Sequence, residues 1–377
     1  MYSRIISTPK NKSFFLFGPR GTGKTTWVKK SFVDAIYIDL LESRTFNELL
    51  ADPQRLEDYV PDSFNDWIII DEIQKVPLLL NEVHRLIESK KYKFILTGSS
   101  ARKLRRKGQN LMAGRALTCY MHPLSVTELG KDFNLKHSLK YGSLPSVYTE
   151  EDPQGYLDSY MRTYLQEEVQ QEGLTRNLNA FARFLEAASF SQGSVLNMSE
   201  VSRECSVERK VVENYFNILE DLLISIRIPV FTKKAKRRMT RHPKFYFFDT
   251  GVYRTVRPMG PLDSPESAEG IALESFFLQE IRAINEYHRL GYSIYYWRTS
   301  GGLEVDFILY GKRGIKAFEL KRRNKVSTSM LSGLKAFLSD YPDAEGFLIY
   351  GGNKPLFIDG IKVVPITDAL KTIKEMI

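Results

Sequence analysis

A glycine-rich run near the start of the chain has the residue types and spacing of a phosphate-binding loop. Residues 18–25 read Gly-Pro-Arg-Gly-Thr-Gly-Lys-Thr and fit the pattern G-x-x-x-x-G-K-[ST] without a mismatch. Glycines let backbone N–H groups point at phosphate oxygens, Lys24 can reach the β- and γ-phosphates, and the Thr25 hydroxyl can hold Mg²⁺. The run predicts an ATP site made by Gly18, Pro19, Arg20, Gly21, Thr22, Gly23, Lys24, Thr25 and Thr26.

Two acidic residues stand where an apolar run ends. Asp71 and Glu72 follow Trp-Ile-Ile-Ile at 67–70. Beside a phosphate loop, Asp71 is predicted to hold Mg²⁺ and Glu72 to polarise the attacking water. Without such a loop, a solvated acidic turn after a buried strand would be the better interpretation.

Two further candidates for work on the γ-phosphate follow in the chain. Ser99, with Thr97 in reserve, ends the next apolar run and is predicted to sense the γ-phosphate, although an ordinary strand exit fits equally well. Arg115 is predicted to reach a γ-phosphate, of its own or a neighbouring subunit, which would suit a homo-oligomer. A surface ion pair is the alternative for Arg115, and a solvated basic face is the alternative for the run 102–107.

A second acidic group lies near the C-terminus. If 303–310 and 315–321 form a hairpin with a four-residue loop, Tyr310 pairs with Ile315 and Asp306 faces Glu319. Strand alternation would put Asp306, Glu319 and Lys321 on one face, where a cation would relieve the repulsion of the two carboxylates. The alternative is a polar face on which Lys321 pairs with Glu304.

A basic segment of seven Lys or Arg in twelve residues spans 233–244. On a hairpin tip it would grip phosphates of DNA, mostly without sequence preference. The acidic helix expected before it opposes base reading, and winged helices also serve as dimer surfaces or rigid spacers. The predicted contacts are Lys233, Lys234, Lys236, Arg237 and Arg238.

The elements that position these residues fall into four predicted domains. Strands at 13–17, 35–39, 67–71 and 94–98 alternate with helices and predict a parallel sheet in residues 1–122. Residues 123–177 predict a helical lid. Residues 178–260 predict a winged helix-turn-helix, with helices at 179–190, from 199 and at 207–223, and strands at 224–231 and 244–248. Residues 261–377 predict a further α/β domain after a linker at 261–269.

The motifs together resemble a known group. The chain resembles a prokaryotic AAA+-type ATPase family with an uncharacterised C-terminal domain. The resemblance rests on the phosphate loop, Ile-Ile-Asp-Glu at 69–72, Leu-Thr-Gly-Ser-Ser at 96–100, Ala-Gly-Arg-Ala at 113–116, and the segments 122–125 and 247–251. The resemblance covers nearly the whole chain and implies ATP binding and hydrolysis. It leaves the biological role open.

The C-terminal constellation resembles the PD-(D/E)xK nuclease fold. Asp306, Glu319 and Lys321 match its metal and catalytic positions, and Glu274 matches its first-helix acid. The resemblance implies a restriction-endonuclease-like α/β domain. Because a fold alone does not give a function, cutting of nucleic acid stays a separate question.

Composition limits the remaining classes. No apolar stretch approaches the ~20 residues of a membrane span, no signal peptide is evident, and Cys119 and Cys205 lie far apart, so a cytoplasmic location is expected. The net charge of +9 is uneven, because residues 1–150 hold 23 Lys and Arg against 16 Asp and Glu. The chain is therefore predicted to be an α/β ATPase with ATP and Mg²⁺ as cofactors, acting on or with DNA. A nucleotide switch with a protein partner and an ATP-gated metal nuclease are the alternatives.

Overall fold

The computed structural model describes residues 2–100, 114–164, 177–260 and 263–377. Contacts divide the chain into two compact units. The N-terminal unit comprises Ser3–His122 with Asp221–Ile224, and the C-terminal unit comprises Pro123–Glu220 with Ser225–Ile377. The predicted lid, winged helix and nuclease-like domain are not separated as units of their own, and their boundaries stay predictions. The basic run 102–107 lies outside the described residues.

The N-terminal unit is built on a five-stranded parallel sheet with the order β2-β3-β4-β1-β5. The strands are β1 (Phe14–Phe17), β2 (Ile36–Asp39), β3 (Trp67–Asp71), β4 (Lys93–Gly98) and β5 (Leu117–Tyr120). The four predicted strands are confirmed to within a residue at each end, and β5 was not predicted. Parallel strands are usually covered on both faces, which explains the continuous apolar runs.

Helices cover the two faces of this sheet. They are α-helices Lys24–Ser31, Ser43–Ala51 and Leu79–Lys90, with 3-10 turns at Pro53–Tyr59 and Ile73–Lys75. Phe15 and Phe17 belong to one buried cluster, and Phe14 and Leu16 to another. Alternate residues of β1 thus serve opposite faces, and the loop after Phe17 leaves from a fully buried strand.

The C-terminal unit begins with short helices. Its α-helices are Val126–Leu129, Leu135–Tyr141, Pro153–Ser159, Leu178–Ser189, Met198–Cys205, Arg209–Asp221, Thr250–Val256, Pro265–Tyr287, Ser332–Asp340 and Ile366–Met376. Single turns lie at Gly130–Asp132, Pro145–Tyr148, Tyr160–Tyr164 and Thr328–Leu331. The helix predicted to begin at 199 is Met198–Cys205, and Asn197 caps it by accepting from the backbone N–H of Glu200. The expected linker 261–269 is corrected at its end, since Ser264 caps a helix that starts at Pro265.

The predicted basic hairpin tip is not a free tip. Strands β6 (Ser225–Ile228) and β7 (Lys244–Phe247) pair antiparallel, but the connection between them runs along other parts of the C-terminal unit. Val230 and Met239 form bridges with the strand that begins at Ser293 and with Thr299 just beyond it. Phe231 is buried among four aromatic rings, those of Tyr295, Tyr310, Phe337 and Tyr341. Phe231 therefore anchors the connection between β6 and β7, and the winged helix stays a prediction.

A six-stranded mixed sheet completes the C-terminal unit, in the order β12-β13-β11-β10-β9-β8. The strands are β8 (Ser293–Arg298), β9 (Glu304–Gly311), β10 (Gly314–Lys321), β11 (Ala344–Tyr350), β12 (Leu356–Ile358) and β13 (Ile361–Pro365). The predicted pairing of Tyr310 with Ile315 is confirmed. Strict alternation along β9 is wrong, because the register shifts between Tyr295 and Trp297. Val305 therefore enters one core, while Phe307 stacks on Phe277.

The segment 247–251 ties two parts of the C-terminal unit together. The Asp249 carboxylate accepts the backbone N–H groups of Gly251 and Val252 and so caps the helix Thr250–Val256. It also accepts the N–H of Ser143 at 2.8 Å. A structural clasp thus explains the residue types of this motif.

Candidate functional site: a phosphate loop and a buried carboxylate cluster

The phosphate loop leaves β1 at its carboxyl end and leads directly into the helix Lys24–Ser31. Gly21 and Gly23 have φ of 79° and 88°, values that an L side chain rarely adopts. The Lys24 ammonium donates to the carbonyls of Gly18 and Pro19 at 2.6 and 3.0 Å. The loop thus curls around the lysine at a helix N-terminus, which is the geometry that receives phosphate. Arg20 and Thr26 are exposed on the same segment.

Two residues that the sequence analysis missed hold the loop in place. Arg4 donates to the carbonyls of Thr22 and His122 at 2.7 and 2.6 Å. Met121 packs its carbonyl oxygen so closely against Gly18 that a Cβ there would collide with it. Both contacts join segments far apart in the sequence, so no local pattern could have indicated them.

Asp71 connects three strands and the loop helix. Its carboxylate accepts from the Thr25 hydroxyl at 2.8 Å and also from Thr97 and Tyr37. Burial and the hydrogen bond to Asp71 raise the pKa of Tyr37 above its ordinary value, so the phenol stays a donor. The predicted pair Thr25 and Asp71 is therefore brought together, and Tyr37 was missed.

Glu72 has an unusual backbone for a residue with a side chain. Its φ is 59° and its ψ is 45°, in the left-handed region. Gln74 donates from its amide nitrogen both to the Glu72 carboxylate and to the Ser99 hydroxyl, the latter at 3.1 Å. Gln74 thus joins the predicted water-orienting acid to the predicted phosphate sensor. Its position two residues after Glu72 is the only signal the sequence offered.

Arg115 lies near the amino-terminal ends of strands β1 and β5, whereas the phosphate loop follows the carboxyl-terminal end of β1. It stands two residues before Leu117, which pairs with Phe14 at the start of β1. The length of β1 alone separates its two ends by roughly 10 Å. Arg115 is exposed and pairs with Glu88, the surface ion pair that the sequence left as its alternative. Its distance from the loop and its ion pair therefore disfavour a role of Arg115 at the phosphate loop of its own subunit.

The C-terminal acids also come together, around a lysine that was assigned to the basic segment. The Lys244 ammonium lies 3.0 Å from Glu274, 2.5 Å from Glu304 and 3.5 Å from Asp306. Its side chain is 2% exposed. Burial alone would lower the pKa of Lys244, but the surrounding negative charges raise it well above its ordinary value. Lys244 is therefore part of this cluster and not of a DNA-contacting surface.

The remaining members of the cluster are paired as well. Lys321 contacts Glu319 at 2.5 Å and not Glu304, whose other partner is Arg298 at 3.1 Å. Asp306 accepts the backbone N–H of Leu320 at 2.9 Å. Burial and the charge of Asp306 raise the pKa of Glu319. The hydroxyl of Tyr246, one more residue that was missed, donates to Glu274.

Each acid of the predicted second metal site pairs with a lysine, Asp306 with Lys244 and Glu319 with Lys321. Among the described residues, no group of three or more His, Cys, Asp and Glu side chains could hold a metal ion. An ammonium group lies among the carboxylates instead. The interpretation of Asp306 and Glu319 as metal ligands therefore stays a prediction, and Glu274 pairs with Lys244.

The basic connection between β6 and β7 keeps an exposed charged surface. The side chains of Lys233, Lys234, Lys236, Arg237 and Arg238 are exposed. Arg237 pairs with Asp340 at 2.7 Å, and the Lys233 ammonium lies 4.5 Å from the centre of the Tyr310 ring.

Family comparisons support the class of the first unit. Residues 10–130 match a family described as an AAA domain. Together with the phosphate loop, this match supports a nucleotide-binding ATPase domain of the AAA type. Residues 132–263 and 269–369 match two families described as domains of unknown function (DUF8612 and DUF4143). The nuclease-like and winged-helix interpretations gain no support from these descriptions.

Relatives exist in bacteria and archaea. The chain is 27% identical over 372 residues to the uncharacterized protein Rv2008c of Mycobacterium tuberculosis, covering 95% of this chain and 80% of the relative. It is 24% identical over 360 residues to the uncharacterized protein MJ1544 of Methanocaldococcus jannaschii, covering 84% and 76%.

Two solved structures show a distant likeness. The Aeropyrum pernix ORC1 protein in complex with DNA gives a TM-score of 0.28 at 14% identity, over 66% of this chain and 87% of that chain. Protein VC1899 from Vibrio cholerae gives 0.24 at 12% identity, over 90% and 96%. Scores this low do not establish a shared fold.

In the described part of the chain, no helix is long and apolar enough to cross a membrane.

Proposed function

We propose that this protein binds ATP with Mg²⁺ and hydrolyses it at the phosphate loop. The observation that carries the proposal is the 2.8 Å hydrogen bond between the Thr25 hydroxyl and the Asp71 carboxylate. It brings together two oxygen ligands of the kind that Mg²⁺ prefers, immediately after the lysine of the loop. Bound there, Mg²⁺ would neutralise charge on the phosphates.

The residues of this chain have separate roles in the proposed reaction. Loop N–H groups and Lys24 hold the phosphates, once the ammonium exchanges the carbonyls of Gly18 and Pro19 for phosphate oxygens. Glu72 orients the water that attacks the γ-phosphorus while the bond to the ADP oxygen breaks. Ser99, held by Gln74, contacts the γ-phosphate. Arg115 would act only across subunits of a homo-oligomer.

The test replaces Glu72 by Gln, which keeps the side-chain size and removes the charge. We expect kcat for ATP to fall by about 10²- to 10⁴-fold with nucleotide binding retained. Lys24→Ala should instead weaken nucleotide binding itself. The matched control is Asp62→Asn, an exposed acid of the same unit. Turnover by Glu72→Gln at the wild-type rate would exclude hydrolysis at this site.

A role on or with DNA is a further part of the proposal. Its support is the exposed lysine and arginine surface between β6 and β7, which suits contact with phosphates. A nucleotide switch for a protein partner is the competing proposal, and it predicts slow turnover that no DNA changes. ATP turnover with single-stranded, duplex and branched DNA at two salt concentrations distinguishes the two.

A further inference from the structure

The carboxylate cluster of the C-terminal unit contains its own cation. Three acids, Glu274, Glu304 and Asp306, come from one helix and one strand, and each lies within 3.5 Å of the same lysine nitrogen. The side chains of these acids are 11–26% exposed, and a nearby positive charge stabilises carboxylates that are so largely withdrawn from water. We propose that the ammonium group of Lys244 is the resident cation of this cluster and takes the place of a divalent metal ion.

The position of Lys244 is fixed by its backbone. It begins β7, where it pairs with Ile228 of β6, and it forms a bridge with Val195 on the other side. Its side chain then passes Tyr296, whose ring centre lies 5.7 Å from the ammonium. With 2% of its surface exposed, the side chain cannot leave the cluster without a movement of the strand.

Most of the oxygen atoms that a metal would need in this cluster already have partners. One Asp306 oxygen faces Lys244 and the other accepts the N–H of Leu320. Glu274 Oε1 accepts from both Lys244 and Tyr246. One oxygen of Glu319 is buried without a hydrogen-bond partner in the described residues, but a single such atom does not make a site for a divalent ion. A divalent ion would also be repelled by the ammonium.

The proposal has a functional consequence. A C-terminal unit without a divalent ion in this cluster would not cut nucleic acid by metal-dependent chemistry at Asp306, Glu319 and Lys321. The cluster instead joins β7 to the helix Pro265–Tyr287 and to β9. The third function class derived from the sequence, an ATP-gated metal nuclease, then loses the residues on which it rested.

The test measures Mn²⁺ binding to the full chain in the absence of nucleotide. The electron paramagnetic resonance signal of free Mn²⁺ gives the amount that is not bound. Every protein carries Asp71→Asn, which removes the carboxylate among the two candidate metal ligands of the ATP site. Lys244→Met is compared with Lys362→Met, which removes a lysine that pairs with Glu345 on the surface. We expect Lys244→Met to gain a site that binds Mn²⁺ at least about tenfold more tightly than any site in the control.

A second arm does not depend on the folding of Lys244→Met. With Lys244 present, Asp306→Asn should leave Mn²⁺ binding unchanged, because the cluster takes up no metal. Binding that Asp306→Asn weakens about tenfold would overturn the proposal, as would a folded Lys244→Met protein with no new site. Since no ATP is used, failure here is distinct from failure of the ATPase proposal.

Discussion

The nucleotide site depends on residues whose side chains hold other side chains. Glu72 carries the proposed reaction in a backbone conformation that costs about 1–3 kcal/mol in residues other than glycine. Its carboxylate is held by Gln74, which is itself 5% exposed and reaches Ser99. A Cβ on Gly98 would lie 2.5 Å from Gln74 Oε1, so little space remains for another arrangement. Gln74 is therefore inferred to be a positioning residue.

Replacing Gln74 by Ala tests this role. The Glu72 carboxylate and the Ser99 hydroxyl would lose their common partner, and the attacking water its orientation. We expect kcat for ATP to fall about tenfold, with KM changed by less than about twofold, because phosphate binding does not involve Gln74. Gln54→Ala, an exposed glutamine of the same unit, is the control. An equal rise in KM and fall in kcat would point to general disruption of the loop instead.

At the scale of elements, the sequence predicted those features that a single continuous stretch of residues determines. The phosphate loop and the strands β1 to β4 follow from local patterns, and so do the helices Leu178–Ser189 and Arg209–Asp221. The hairpin of β9 and β10 has the predicted register because its loop length fixes the pairing. The alternation along β9 failed because a bulge opposite β8 could not be read from one strand.

The sequence could not predict contacts between distant elements. Lys244 looked like one of seven cations on a hairpin tip, yet it stands on a buried strand next to acids 30 to 62 positions later. Arg4 and Tyr37 carry no motif, and their roles depend on the carbonyls and the carboxylate they reach. Tertiary packing decides such positions, and only the three-dimensional arrangement identifies them.

Another contact between elements gives a pH-dependent prediction. Glu280, on the helix Pro265–Tyr287, is fully buried and accepts the backbone N–H of Val126 at 3.0 Å. Its second carboxylate oxygen has no hydrogen-bond partner in the described residues. Burial, and to a lesser degree the charge of Glu128, raises the pKa of Glu280 to about 8. The folded state thus keeps a proton that the unfolded chain releases near pH 4.5.

Because this pKa is raised on folding, its contribution to stability is complete below about pH 4.5 and lost as pH rises through about 8. Glu280→Gln keeps a carbonyl acceptor for Val126 and has no proton to release. Relative to this variant, the wild-type free energy of unfolding should fall by on the order of a few kcal/mol between pH 5 and pH 9. Urea unfolding at both pH values measures it.

The control for this prediction is Glu345→Gln. Glu345 pairs with Lys316 and Lys362, and hydrogen bonds to these two lysines lower its pKa. The ionisation of Glu345 therefore changes stability only in acid. The free energies of unfolding of Glu345→Gln and the wild type should differ by the same amount at pH 5 and pH 9. Parallel pH profiles of wild type and Glu280→Gln would contradict the assignment of a proton to Glu280.

At the scale of the molecule, charge is distributed unequally along the chain. Residues 1–150 carry a net charge of +7, residues 151–260 carry +2, and residues 261–377 are neutral, with 15 Lys and Arg against 15 Asp and Glu. The connection between β6 and β7 adds a local concentration of cations within the nearly neutral part. If the protein acts on DNA, this surface contributes affinity through phosphates, and the contribution weakens with salt.

Triple alanine replacement of Lys234, Lys236 and Arg238 tests this contribution. These exposed residues were chosen because Arg237 already pairs with Asp340. The control variant removes the same charge elsewhere in the C-terminal unit, at the exposed residues Lys354, Lys371 and Lys374.

We expect the first variant to bind duplex DNA more weakly whatever the sequence. Its slope of log affinity against log salt should be shallower by up to about 0.9 for each phosphate that the protein no longer neutralises. The control should keep the wild-type slope, because its lysines lie outside the connection. Stimulation of ATP turnover by DNA, where present, should weaken in parallel. Equal affinities and slopes for the two variants would mean that the net charge of the protein, and not this surface, attracts DNA. A role of the connection between β6 and β7 in DNA binding would then be excluded.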